Sequence, residues 1–118
     1  MSAMYALNFY PDIYENLLRN HRKTVTIRLG DKTDKYRAGQ IVWVTVGNRF
    51  ARRHKLFTAI IDRVEVKPLA ELTPRDISRE NPEFRTAEDV RDLLERIYDR
   101  PLAMEEIVTV IYFSPVDD

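Results

Sequence analysis

The segment Arg22-Lys-Thr-Val-Thr-Ile-Arg-Leu29 places an amine, two hydroxyls and two guanidinium groups within eight positions. A threonine hydroxyl such as that of Thr26 is a poor nucleophile until a base takes its proton. Lys23 serves as that base only where burial or a nearby cation lowers its pKa from about 10.4 towards 7–8. Arg22 or Arg28 supplies such a cation. A carboxylate then orients the lysine or hands a proton to the leaving group. Asp76, Glu80 and Glu83 are the candidates, and Glu80 is attractive because Asn81-Pro82 forces a chain break directly behind it. One condition attaches to the pair. In a strict strand, Lys23 and Thr26 point to opposite faces, so Lys23 must lie in the turn before the strand. The same segment also reads as a plain half-exposed strand, with Val25, Ile27 and Leu29 inward and Thr24, Thr26 and Arg28 outward.

Other chemistries are poorly supplied. The chain has no cysteine, which excludes disulfides, thiolate metal sites and cysteine nucleophiles. Its two histidines, His21 and His54, have no metal-ligand spacing, so no metal and no other cofactor is expected. Ser2, Ser78 and Ser114 lack a nucleophile-elbow context, and there is no glycine-rich phosphate cradle.

The 118 residues suit one domain, spanning 1–118 with a core of about 5–113. No run approaches the roughly 20 apolar residues that span a bilayer, and no signal-peptide pattern opens the chain. The expectation is a soluble cytoplasmic protein that does not engage a membrane. The net charge is zero but unevenly spread: residues 1–63 hold 12 Lys/Arg against 5 Asp/Glu, and residues 64–118 hold 7 against 14. Either the two halves neutralise each other in the fold, or the basic half meets an anionic partner such as RNA. Arg49, Arg52, Arg53 and Lys55 cluster in one linker that could reach phosphates, or that simply keeps a loop solvated.

The elements that must position these residues follow from periodicity. Residues 4–9 read as a strand. Pro11 opens a short helix over 11–20, with Ile13, Tyr14, Leu17 and Leu18 on one face. Strand 24–29 follows, then a polar loop from Gly30 to Gly39, and a nearly all-apolar strand 41–46. A long strand covers about 56–66. Thr73-Pro74-Arg75-Asp76 starts a helix that must stop by Asn81. Thr86 opens another, whose stripe is Val90, Leu93, Leu94, Ile97 and Tyr98. Ile107 to Phe113 is the last strand, with a frayed tail from Ser114. The class is α+β: a small curved sheet or barrel, mostly antiparallel, with about three helices on it.

Several of these segments together resemble an ASCH domain, a PUA-like fold. They are Lys23-Thr-Val-Thr-Ile-Arg28 after an early helix, Ala38-Gly39-Gln40-Ile41-Val42 entering a strand, Leu72-Thr73, Arg79-Glu80-Asn81, a helix closing on Ile97-Tyr98, and Val110-Ile-Tyr-Phe113. Within that superfamily the chain is similar to small bacterial amidohydrolases that cleave N4-acetylcytidine to cytidine and acetate. The resemblance implies Lys23 as proton acceptor, Thr26 as nucleophile and Glu80 as proton donor. It places Arg28, with Arg22 and Asn81 nearby, at the substrate. It equally implies a non-catalytic RNA-binding module, in which Arg22, Lys23, Arg28 and the basic linker hold phosphates and Tyr36 or Phe50 stacks on a base. A ribonuclease is a third implication. The expected partner is therefore a modified nucleoside or RNA.

Overall fold

Strand-forming segments rich in branched residues alternate with segments opened by proline or capped by threonine, and the computed structural model follows that punctuation. It describes residues 5–48 and 50–116. The order is β1 (Ala6–Phe9), α1 (Pro11–Arg19), β2 (Val25–Leu29), β3 (Ile41–Val46), β4 (His54–Pro68), a 3-10 turn (Leu69–Glu71), α2 (Pro74–Glu80), α3 (Ala87–Tyr98) and β5 (Ile107–Val116). The five strands form one sheet in the order β1-β3-β4-β5-β2. Three of its pairings are antiparallel and β1 runs parallel to β3, so the sheet is mixed. Register shifts between Val44 and Thr45 on β3 and between Ile61 and Arg63 on β4 increase the local twist. The result is a curled half-barrel, and the class is α+β.

Local chemistry explains the helix ends. Pro11 occupies the first turn of α1, where its missing N–H costs nothing. His21 adopts a left-handed conformation with φ 56°, and the Arg22 N–H donates back to the Leu17 carbonyl at 2.8 Å. That closure turns the chain sharply towards β2 and leaves Lys23 in the turn. In α2 and α3, Thr73 with Asp76 and Thr86 with Asp89 make reciprocal capping boxes. Asn81 is extended, as the residue before Pro82 must be, and α2 ends on Glu80.

The core has two clusters. One gathers Leu7, Phe9, Tyr14, Leu18, Val42, Val44 and Phe113 under α1. The other gathers Val25, Ile27, Leu69, Ile77, Val90, Leu94 and Val108 under α2 and α3. Leu7, Leu18 and Leu69 are wholly buried, each stabilising the fold by about 1.5–3 kcal/mol relative to exposure.

Two expectations change. Residues 114–116 are not frayed, the rest of that tail lying outside the described residues: Ser114, Pro115 and Val116 pair with Ile60, Ala59 and Thr58, and the Ser114 hydroxyl donates to Asp62. Strand β2 is not half-exposed either, because Thr26 is as buried as Ile27. Helices cover the face the alternation assigned to water. No helix among the described residues is long and apolar enough to cross a membrane.

Candidate functional site

The site forms where the turn after α1, the start of β2 and the last residue of α2 meet. The Thr24 N–H donates to the Arg79 carbonyl at 3.2 Å, which draws the end of α2 against β2. Glu80 therefore arrives beside Lys23. The Lys23 side chain is fully enclosed and its ammonium makes three donations: to Glu80 Oε2 at 2.6 Å, to the Glu80 carbonyl at 2.8 Å and to the Val25 carbonyl at 2.7 Å. It also lies 4.2 Å from the Tyr14 ring centroid and 5.3 Å from that of Phe9, so aromatic faces cover the remaining directions.

The carboxylate is as fully partnered. Glu80 Oε2 accepts a second bond from the Ile27 N–H at 3.1 Å, and Oε1 accepts from the Tyr14 hydroxyl at 2.5 Å. Burying two charges demands this degree of satisfaction. Burial pushes Lys23 down to about 8, against the opposing pull of Glu80 and with some help from Arg28. Burial, and then the Glu80 charge, push the Tyr14 hydroxyl well above its ordinary value. Tyr14 thus stays a neutral donor to the carboxylate.

Next to this network is a small hollow of about 80 Å³, into which Glu80, Tyr14, Thr26, Arg28 and Phe9 face, with Leu93 and Ile97 of α3 as an apolar wall. Arg28 spans it. Its Nε donates to the Thr26 hydroxyl at 2.9 Å and one terminal nitrogen donates to the Asn8 carbonyl at 3.2 Å. Its guanidinium carbon lies 5.1 Å from the Phe9 ring centroid. The arrangement offers, around one small space, a hydroxyl held by a cation and an acid–base pair of low polarity surroundings.

The structure brings Lys23 to Glu80 and brings Thr26, Arg28 and Glu80 to the same hollow. Lys23 lies in the turn before β2, which resolves the parity condition. Among the described residues, the Thr26 hydroxyl takes its hydrogen bond from Arg28 and not from Lys23. Arg22 and Asn81 fall elsewhere, in a separate hollow of about 370 Å³ with Asp12, Leu17 and Glu83. Asn81 caps its own turn by accepting from the Glu83 N–H at 3.0 Å. Arg52, Arg53 and Lys55 are exposed, with the Lys55 amine 5.3 Å from the Trp43 ring centroid; Arg49 lies outside the described residues. Tyr36 cannot stack on a base, because it is buried and its hydroxyl donates to the Ala6 carbonyl. Nor can Lys23 reach a phosphate from its enclosed position. No group of three His, Asp or Glu side chains that could hold a metal occurs among the described residues.

Tyr14, Asn8 and Phe9 are the site residues that sequence reasoning missed. Tyr14 sits at helical spacing in the apolar stripe of α1, where a core tyrosine and a site tyrosine look alike.

A curled five-stranded mixed sheet with three helices packed on it is an ASCH-like, PUA-like arrangement. An ASCH domain from Lactobacillus crispatus superposes with a TM-score of 0.67 at 13% identity, over 96% of this chain and 79% of that one. Protein EF3133 of Enterococcus faecalis, assigned to family DUF984, gives a TM-score of 0.67 at 17% identity, over 99% of this chain and 82% of that one. The hypothetical protein PH0355 gives 0.67 at 14% identity, over 97% and 100%. At these identities the likeness is one of fold. No protein-family model matches the chain, and no curated protein sequence does.

Proposed function

We propose that the chain is an amidohydrolase acting on an acylated pyrimidine nucleoside, releasing cytidine and acetate from N4-acetylcytidine. The observation that carries this reading is the enclosed Lys23–Glu80 pair, 2.6 Å apart, with its carboxylate facing the hollow that also holds the Thr26 hydroxyl. A proton can pass directly between the two groups across that distance.

The steps balance within that pair. The Thr26 hydroxyl attacks the acetyl carbon and its proton passes to the Lys23 amine. Glu80, as the acid, protonates the departing cytosine amine. Lysine is then an ammonium and Glu80 a carboxylate. Water adds to the acyl-threonine with its proton going to Glu80, the ammonium returns a proton to the threonine oxygen, and acetic acid leaves. The route requires substrate entry to turn the Thr26 hydroxyl from Arg28 towards Lys23. Arg28 is then freed to meet the negative charge that develops on the acetyl oxygen. Contacts of this kind commonly tighten only with substrate bound. The test is incubation with N4-acetylcytidine and chromatography for cytidine. Release of cytidine by the wild type and its loss in Thr26→Ala are expected. No release, or equal release by Thr26→Ala, rejects the reading.

The second reading, a non-catalytic RNA-binding module, draws on a different surface. Phe50 is 96% exposed and Trp43 44% exposed beside Lys55, Arg52 and Arg53, a combination suited to stacked bases and phosphates. Its test is RNA binding across a salt series: affinity that falls steeply with salt supports it, and salt-independent binding counts against it.

A further inference from the structure

The catalytic hollow is too small for the substrate proposed above. Ligand clefts run from roughly 300 Å³ upward, whereas this one measures about 80 Å³. It takes the acyl group and the edge of a base, and no more. A second hollow of about 200 Å³ shares Tyr10, Leu93 and Ile97 with it, and its other walls are Ile13 and Arg96. The two spaces lie on either side of those shared side chains. A substrate whose amide enters the first can lay the remainder of the molecule across Leu93 and Ile97 into the second.

That second space has one charged wall. Arg96 is exposed in the last turn of α3 and, among the described residues, forms no ion pair or hydrogen bond. The acids nearest in sequence on its helix are engaged elsewhere: Asp92 pairs with Arg91, and Glu95 accepts from the Leu102 N–H. The field of Arg96 reaches the site, since it opposes the upward push that burial and Glu80 exert on Tyr14. A groove with an aromatic and aliphatic floor and a single guanidinium at its side suits a sugar carrying an anionic ester.

We infer that the second hollow holds the ribose phosphate of a free nucleotide, with Arg96 as the counter-charge of the phosphate. The inference rests on the amidohydrolase reading for the identity of the base. Its chemistry, a phosphate ester on the nucleoside, also occurs inside an RNA strand, and the groove has cationic provision for one phosphate rather than several.

The experiment compares KM for N4-acetylcytidine, for its 5′-monophosphate, and for a trinucleotide with the modified base in the middle. Wild type should show a KM for the monophosphate lower than for the nucleoside by roughly twofold to fivefold, the scale of one solvent-screened ion pair to a phosphate. Arg96→Gln should abolish that ratio. Equal KM values in the wild type, or a ratio that survives in Arg96→Gln, overturns the inference. A trinucleotide KM above that of the monophosphate supports the free nucleotide, and one below it overturns that assignment. Calorimetric binding of cytidine 5′-monophosphate against cytidine reads the same contact without chemistry. If neither acetylated compound is cleaved, the amidohydrolase reading fails. Tighter binding of the monophosphate that vanishes in Arg96→Gln then still upholds the phosphate site, and equal binding removes it.

Discussion

Lys23 donates to Glu80 twice, to the carboxylate and to the backbone carbonyl of the same residue. The two contacts fix both the side chain and the chain path at the end of α2. Lys23→Met is expected to destabilise the protein by about 3–5 kcal/mol, because it leaves a buried carboxylate without its counter-charge. The double variant Lys23→Met/Glu80→Leu should recover a large part of that loss, since no buried charge remains. Urea unfolding of the wild type, the two single variants and the double variant measures this. A double variant no more stable than Lys23→Met would show that the pair is not the dominant electrostatic element.

The same lysine sets an alkaline signature. Its folded-state pKa is pushed down to about 8 by burial, from 10.5. Between those values the unfolded chain carries a proton that the folded chain has released, so stability rises with pH across that window. The gain is opposed above about pH 10, where the unfolded chain begins to lose tyrosine protons that the folded Tyr14 and Tyr112 retain. Tyr112 is raised to about 12, by burial first and then by Asp76. Denaturant midpoints should therefore climb from pH 8 towards 10, and Lys23→Met should lack the climb. A flat wild-type profile over that range would contradict the assignment.

Thr26 and Arg28 separate activity from stability. Thr26→Ala should lower kcat/KM on N4-acetylcytidine by at least about a thousandfold, as expected for loss of an activated nucleophile. Its melting temperature should move far less than that of Lys23→Met, because Arg28 can still bond the Asn8 carbonyl. Arg28→Lys keeps the charge but loses the planar fork that reaches Thr26 and Asn8 together. A fall of about ten- to a hundredfold in kcat with little change in melting is the expected result. Wild-type activity in Arg28→Lys would rule out the fork as a catalytic requirement.

Asp76 provides an acid-side prediction. It is buried beneath α2, where it completes the Thr73 capping box, accepts from Lys67 at 2.8 Å and receives the Tyr112 hydroxyl. Burial alone would raise its pKa, but these donors outweigh it and hold the carboxyl below its ordinary range. Its contribution is present above about pH 4 and lost as pH falls through the lower folded value. Asp76→Asn should cost about 1–3 kcal/mol at neutral pH. The gap to the wild type should narrow below about pH 4 when followed by urea unfolding. A constant gap down to pH 2 would argue against ionisation as the cause.

Much of the architecture was legible in the chain, for identifiable reasons. Branched residues fixed β3 at 41–46, and the Thr73 cap with Pro74 and Pro82 fixed both ends of α2 within a residue. Pairing order was less accessible. Nothing in residues 4–9 distinguishes a parallel partner from an antiparallel one, and β1 joins β3 in parallel through the crossover of α1 and β2. The extension of β5 to Val116 was missed because Ser114 and Pro115 read as loop residues. Pro115 is tolerated in the strand, opposite Ala59 near its end. At the site, spacing and the Asn81-Pro82 break pointed to Lys23, Thr26, Arg28 and Glu80. Tyr14 and Arg96 were not separable from an ordinary apolar stripe and an ordinary helix surface, because their roles depend on what packs opposite.

Strand β2 lies at one end of the sheet, hydrogen-bonded to β5 on a single side. On its open side, the Val25 carbonyl and the Ile27 N–H would normally invite a further strand. Lys23 bonds the first and Glu80 the second. An amine and a carboxylate thereby imitate the acceptor and donor of a missing neighbour, and the acid–base pair doubles as a guard against one molecule templating onto the next.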